Sequence, residues 1–228
     1  MNTTMCPPGA DLGNFGAFRF MVEQMLSRVN TMTLVKVVAC SDSDSLSPVG
    51  FVDVQVLVNM LDGAGVGHPI NEPLHNLPYF RLQGGSDAII IKPKVGDIGI
   101  AGFCSRDIST VKTTKKQANP GSWSTHSLSD GLYFGGVLNG TPTQYIQFTS
   151  SGIIVHSPYK ITHSAPVIEL DAPSIILNGA VTQGAGSNAG SVTMAQTLTV
   201  TGEVTGVGKH LSTHTHSDPQ GGNTGQPV

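Results

Sequence analysis

A repeat too thin to fold alone sets the strongest limit on what this chain can become. Residues 153–161 (IIVHSPYKI) align with residues 168–176 (IELDAPSII) fifteen positions on, so that Ile153 matches Ile168, Val155 matches Leu170, Pro158 matches Pro173 and Ile161 matches Ile176. Each unit is too small to bury its own apolar face and must stack on neighbours, either along the chain or around an axis. Residues 175–184, 192–194 and 198–208 (LTVTGEVTGVG) continue as short alternating strands punctuated by glycine. A lone chain has too little apolar material per strand to make a core here. Three chains wound about one axis have enough.

Charge agrees with that inference. Only 12% of the 228 residues are charged, against about a quarter in ordinary globular domains. After Pro120 the charged residues are Asp130, Lys160, Glu169, Asp171, Glu203, Lys209 and Asp218 alone. A surface so rich in Gly, Ser, Thr, Asn and Gln is common in intertwined fibres and unusual for a monomeric globule. The net charge of −3 leaves no basic footprint, so nucleic acid is not an expected partner. Cys6, Cys40 and Cys104 have no CxxC spacing, which argues against a disulfide framework and a thiolate zinc site and fits assembly in a reducing cytoplasm. The first thirty residues lack a basic stretch leading into an apolar run, and no apolar stretch approaches the ~20 residues of a membrane-spanning helix.

The N-terminal half reads differently. Leu12, Phe15, Phe18, Met21, Val22, Met25, Leu26 and Val29 recur at three-and-four spacing, predicting one amphipathic packing helix that starts near Asp11, a plausible N-cap. From Met32 the period becomes two. Strands are expected at residues 33–39 (TLVKVVA), 50–58 (GFVDVQVLV), 88–91 (AIII) and 97–103 (DIGIAGF), with turns at 41–48, 62–67 and 83–87. Roughly five short strands with Gly-rich corners suit a small closed barrel, most simply an OB-type barrel, with an SH3-like barrel as the alternative. The chain therefore divides into an N-terminal arm and helix (1–30), a barrel (31–115), a linker (116–144), a triple-stranded shaft (145–208) and an apex (209–228). The expected class is mainly β.

The apex carries the chemistry. His214 and His216 stand two apart, and in an extended strand residues two apart share one face, so both imidazoles reach one point. Two nitrogens are too few for a structural metal, which takes four ligands for zinc or six for an octahedral ion. Three-fold symmetry supplies the rest: three copies of the pair present six imidazole nitrogens on the axis. Six nitrogen donors point away from tetrahedral zinc and toward iron, with nickel and cobalt as other ions that accept such a set. An isolated HxH is an ordinary surface pair; after a glycine-punctuated β-repeat it reads as a ligand pair. His210 has the spacing to share that face, but six positions are already filled. His68, His75, His126, His156 and His163 read as ordinary surface or core histidines.

Enzyme chemistry finds no foothold. The acidic stretch at 41–45 (SDSDS) lacks the glycine and bidentate glutamate of an EF-hand loop, and neither a GxSxG elbow nor a P-loop occurs. Asp218 is the only carboxylate in the last twenty residues, whereas a catalytic metal needs an open position and a nearby acid or base. The chain is not expected to be an enzyme.

Several motifs carry a resemblance. Residues 94–100 (KVGDIGI), 105–107 (SRD), 126–130 (HSLSD), the repeat at 171–179 (DAPSIILNG) and the ending 208–216 (GKHLSTHTH) are similar to the membrane-puncturing central spike proteins of contractile phage tails and related tailocins. The resemblance implies a homotrimer with an OB-fold collar docked on the tail tube and baseplate hub. It also implies a triple-stranded β-helix shaft and an apex where His214 and His216 of each chain hold one iron ion per trimer. Such a spike rides at the tip of the virion tail and is driven through the host outer membrane by sheath contraction, without enzymatic activity. About eight strands stacked at ~4.7 Å give a shaft on the order of 38 Å, enough to cross a hydrocarbon core of about 30 Å. The alternative is a trimeric tail fibre or adhesin whose C-terminal tip binds a host receptor.

Overall fold

The computed structural model describes residues 14–41, 49–62, 65–184, 190–217 and 219–226. The expected cap at Asp11, the thiol of Cys6, and Asp42, Asp44 and Asp218 lie outside the described residues. Two compact units emerge, Met1–Ile161 and Thr162–Val228. The protein is mainly β with one short N-terminal helix, α1 (Asn14–Leu26).

In the first unit the strands are β1 (Met32–Cys40), β2 (Phe51–Val56), β3 (Met60–Leu61), β4 (Gly67–His68), β5 (Leu74–Pro78), β6 (Leu82–Gly84), β7 (Asp87–Ile89), β8 (Ile98–Phe103) and β9 (Gly131–Gly136). A short helix, α2 (Ser109–Thr114), follows β8, and a hairpin, β10 (Tyr145–Thr149) and β11 (Gly152–His156), follows β9. Five strands form one sheet in the order β5-β2-β1-β8-β9, with every pairing antiparallel. Register shifts that leave Val38 of β1 unpaired against β2 and Phe134 of β9 unpaired against β8 curl the sheet, because an unpaired extra residue bends and twists its strand. The result is a half-barrel. Its two edges meet at a single parallel bridge, Tyr79 to Tyr133, where the Phe80 N–H donates to the Tyr133 carbonyl at 2.7 Å.

The core sits on the concave side. Val52, Val54 and Val56 alternate with half-buried neighbours along β2, and Val35, Val37, Leu77, Tyr79, Ala101 and Tyr133 complete the buried cluster. Asp130 is the buried charge among the described residues. It accepts from the Ile108 N–H at 3.1 Å and so ties the start of α2 to the turn before β9.

Three expectations change. Tyr133, in the stretch read as a linker, is 1% exposed and belongs to β9, the fifth strand of the sheet; the glycines flanking it had masked a strand held by one aromatic. β5 was not anticipated, since its sequence LHNLP does not alternate in hydrophobicity and ends on proline. It is a sheet edge, where proline is tolerated. The predicted strand at 88–91 overlaps β7, which pairs only with β6 and lies outside the five-stranded sheet, its Ile89 exposed.

An acid clasp holds β2 to β5. Asp53 accepts from the Asn76 N–H at 2.9 Å and lies 2.8 Å from the His75 ring nitrogen, with Asn76 in the left-handed region at φ 57°. Burial pushes the Asp53 carboxyl up, but the Asn76 amide and the His75 ring outweigh it and hold it below the ordinary carboxylate range. A carboxyl depressed by folding stabilises above its unfolded pKa of about 3.9, and that stabilisation is lost as pH falls through the folded value. Asp53→Asn should therefore lower stability by about 1 kcal/mol at neutral pH, with the gap to wild type closing in acid, as urea titrations at two pH values will read.

The second unit has β12 (Thr205–Gly206) paired with β13 (Lys209–His210). Between Ser157 and Val204 no described residue belongs to a helix or strand, and every described residue from 158 to 213 is exposed. Val167, Ile168, Leu170, Ile175, Ile176 and Leu177 are among the apolar side chains left open there. Of the expected repeat, residues 153–156 lie in β11 and pair with β10, whereas the second unit, 168–176, has no ladder partner among the described residues. No helix among the described residues is long and apolar enough to cross a membrane.

Candidate metal centre

The histidine pair sits just beyond a tight hairpin. Gly208, at φ 72°, and Val207, at φ 48°, make the left-handed two-residue turn that a β12–β13 hairpin needs. After β13 the chain turns again: the Leu211 N–H donates to the Val204 carbonyl at 2.9 Å and the His214 N–H to the His210 carbonyl at 3.0 Å. Glu203 fastens this turn, accepting from the Ser212 N–H at 3.2 Å and from the Ser212 hydroxyl. The Ser212 hydroxyl first, then its amide, hold the Glu203 carboxyl below the ordinary range.

The turn aims His214. Its Nδ1 lies 2.7 Å from the Leu211 carbonyl; a carbonyl only accepts, so Nδ1 carries the proton and Nε2 keeps its lone pair for a ligand. His214 is half-buried and His216 exposed. Their ring centroids stand 5.1 Å apart, edge to face at 85°, a separation that one ion can bridge given metal–nitrogen bonds of about 2.1 Å. The backbone at His216 is fixed by the returning tail: its N–H donates to the Thr224 hydroxyl at 2.9 Å, the Thr224 N–H donates back to its carbonyl at 2.9 Å, and Ser217 bridges Asn223.

The two rings thus share one side of the chain, although residues 214–216 are not in a strand; the turn and the tail set their direction instead of strand alternation. His210 lines the same recess as His214 and His216, but its Nδ1 is engaged by the Thr205 hydroxyl at 3.2 Å across the hairpin. Among the described residues no group of three or more His, Cys, Asp or Glu is placed to hold an ion within one chain. Glu203 is turned toward Ser212. Two neutral imidazoles per chain are the donor set, and they fit a metal completed by other copies. Four other histidines have neighbours of their own: His68 with Asp62 at 2.9 Å, His75 with Asp53, His126 near the Asn30 carbonyl at 3.3 Å, and His156 stacked on Tyr145; His163 is exposed.

Sequence reading missed Glu203 and Thr224 as supports of the pair. The signal was present in that Glu203 is the one acid between Asp171 and Asp218 in a charge-poor segment. Because Glu203 orients rather than ligates, Glu203→Gln should leave the ion bound but weaken its retention about 10–100-fold, measured by competition with a chelator.

No family model matches the chain, and no curated protein does.

Proposed function

We propose that this protein is the central spike of a contractile phage tail, a homotrimer that punctures the host outer membrane mechanically. The observation that carries this reading is the run of exposed apolar side chains from 158 to 204, where no described residue belongs to a strand, followed after one short hairpin by a histidine pair able to supply part, but not all, of a metal site. Exposed apolar patches beyond a few hundred Å² mark surfaces meant to be covered. Three chains interleaved in a triple-stranded β-helix cover them and give every backbone group a partner. The curled five-stranded sheet, closed at Tyr79 and Tyr133, suits an OB-type collar that seats on the tail tube and baseplate hub.

At the apex, His214 and His216 of three chains hold one iron ion, which ties three chain ends together so that the tip resists splaying under load. The ligand set is closed, so the ion is structural and the protein is not an enzyme. The spike is assembled in the host cytoplasm and carried at the tip of the virion tail. Only neutral imidazole ligates, so protons compete with the ion. Dialysis from neutral into mildly acidic buffer should strip iron while scattering mass stays constant.

The deciding experiment is metal content per chain by elemental mass spectrometry on untagged protein, beside light-scattering mass. One iron per three chains in a trimer supports the spike. A trimer without transition metal shifts the reading to a fibre whose C-terminal tip binds a host receptor, and a monomer removes both.

A further inference from the structure

Val52 and Tyr133 turn into the core of the first unit, so their strand neighbours Phe51 and Leu132 stand on the outer face of the curled sheet. The short helix α2 borders that face. Phe51, Ile108, Val111 and Leu132 wall an open recess of about 760 Å³ that also contains Cys104. Sites for small molecules enclose about 300–1,000 Å³ and are mostly apolar, with a few placed polar groups.

The polar groups here are cationic. Lys112 Nζ donates to the Asn76 carbonyl at 2.9 Å and stands 6.0 Å from the centre of the Phe51 ring, which holds its ammonium at the mouth. α2 ends at Lys115, whose left-handed backbone at φ 53° lets its N–H reach the Val111 carbonyl at 2.8 Å. Lys115 and Lys116 complete the rim. Among the described residues neither of these two makes an ion pair, and no carboxylate lines the recess. Asp107 and Asp130, the acids nearest in sequence, accept from the Ser109 N–H at 2.8 Å and the Ile108 N–H at 3.1 Å. Three of the 12 basic residues of a chain with net charge −3 thus gather around one apolar recess.

We infer that this recess binds a single-chain anionic amphiphile, its apolar body against Phe51, Val111 and Leu132 and its head among Lys112, Lys115 and Lys116. Charge selects the class. A cation of the same shape meets three like charges, whereas a carboxylate, sulfate or phosphate head meets ammonium donors. The inference uses the first unit alone and stands whether or not the chain is a spike.

The probe is decanoate, below its micelle-forming concentration, added to the full chain. The readout is the rate at which iodoacetamide alkylates Cys104, resolved by peptide mass mapping from Cys40, which lies on β1 outside the recess. Mildly alkaline buffer is needed, because burial and then the Asp130 charge push the Cys104 thiol up and only the thiolate reacts. Decanoate is expected to slow Cys104 severalfold and leave Cys40 unchanged, while decyltrimethylammonium slows neither. Lys115→Glu/Lys116→Glu should raise the half-effect concentration about tenfold, and the charge-matched control Lys36→Glu/Lys94→Glu should not. An unchanged Cys104 rate overturns the site, as does equal protection by the cation. Equal slowing of both cysteines means general coating of exposed apolar surface and also overturns it. Should the double variant fail to fold, the comparison of the two head charges on wild type decides alone. Phosphatidylglycerol vesicles then separate the sources of such a head: protection by decanoate alone assigns a free amphiphile, and protection by both assigns one that a bilayer also presents, with the site supported in either case.

Discussion

Replacing His214 and His216 together with alanine is expected to take bound iron from one ion per three chains to none, while scattering mass remains that of a trimer. The size of the effect follows from the donor inventory. Glu203 is committed to Ser212, and His210, whose Nδ1 meets Thr205, is not one of the six expected ligands, so the double substitution removes the whole proposed donor set. Either single substitution removes three of six nitrogens and should weaken retention by more than the 10–100-fold that loss of an orienting partner costs. His216→Ala is the milder of the two, because the His216 backbone stays pinned by Thr224 whatever the side chain. On the spike reading the trimer is expected to survive, because most of its contact would lie along the exposed apolar run from 158 to 204. Monomers after the double substitution would mean that the ion, and not the strands, holds the chains together.

How much of this was legible in sequence depends on where the determinants of each element lie. β1, β2 and β8 declared themselves because their partners share the same period-two, β-branched grammar, and Val35, Val37, Val52 and Val54 are all fully buried. β9 did not. One tyrosine among glycines carries no periodic signal, and its burial is decided by a long-range bridge to Tyr79. α1 was legible as a helix, but its role as a packing helix was not met: Phe15 and Phe18 are exposed at 81% and 61%, since amphipathic spacing says that a face wants cover without saying what supplies it. The repeat shows the same limit in its sharpest form. Its spacing announced strands, and residues 153–156 do pair with β10, but 168–176 meets no ladder partner among the described residues, because spacing marks a face without saying what pairs with it. The spacing of His214 and His216 suggested a shared face through strand alternation, but residues 214–216 are not in a strand, and the side-by-side rings depend on a turn fastened by Glu203 and a tail returned by Thr224, neither of which leaves a motif.

Gly99→Ala is expected to destabilise the first unit by about 3 kcal/mol, the upper part of the range for overpacking a core, and to lower its melting temperature by roughly 6–12 °C. Gly99 is a buried residue of β8, and a methyl group there would sit 2.3 Å from the Tyr133 hydroxyl oxygen, 2.4 Å from the Gly135 carbonyl oxygen and 2.4 Å from the Tyr133 ring. Neither neighbour yields cheaply. The carbonyl belongs to β9, paired to β8 along this stretch, and Tyr133 is 1% exposed, with its backbone bridged to Tyr79 at the facing edge. The hydroxyl itself has no hydrogen-bond partner among the described residues, and burial, then the nearby Asp97 charge, raise its pKa. An unsatisfied buried hydroxyl costs about 1–3 kcal/mol, so Tyr133→Phe alone should raise stability by about 1 kcal/mol. Combining the two substitutions separates the contacts. Phenylalanine removes the clash with oxygen but leaves the ring edge and the Gly135 carbonyl in place, so the double variant should recover only part of the loss, with a coupling of about 0.5–1 kcal/mol. Full recovery would show that the hydroxyl alone excludes a side chain at 99, and that the sheet edges are free to part where β8 and β9 curl.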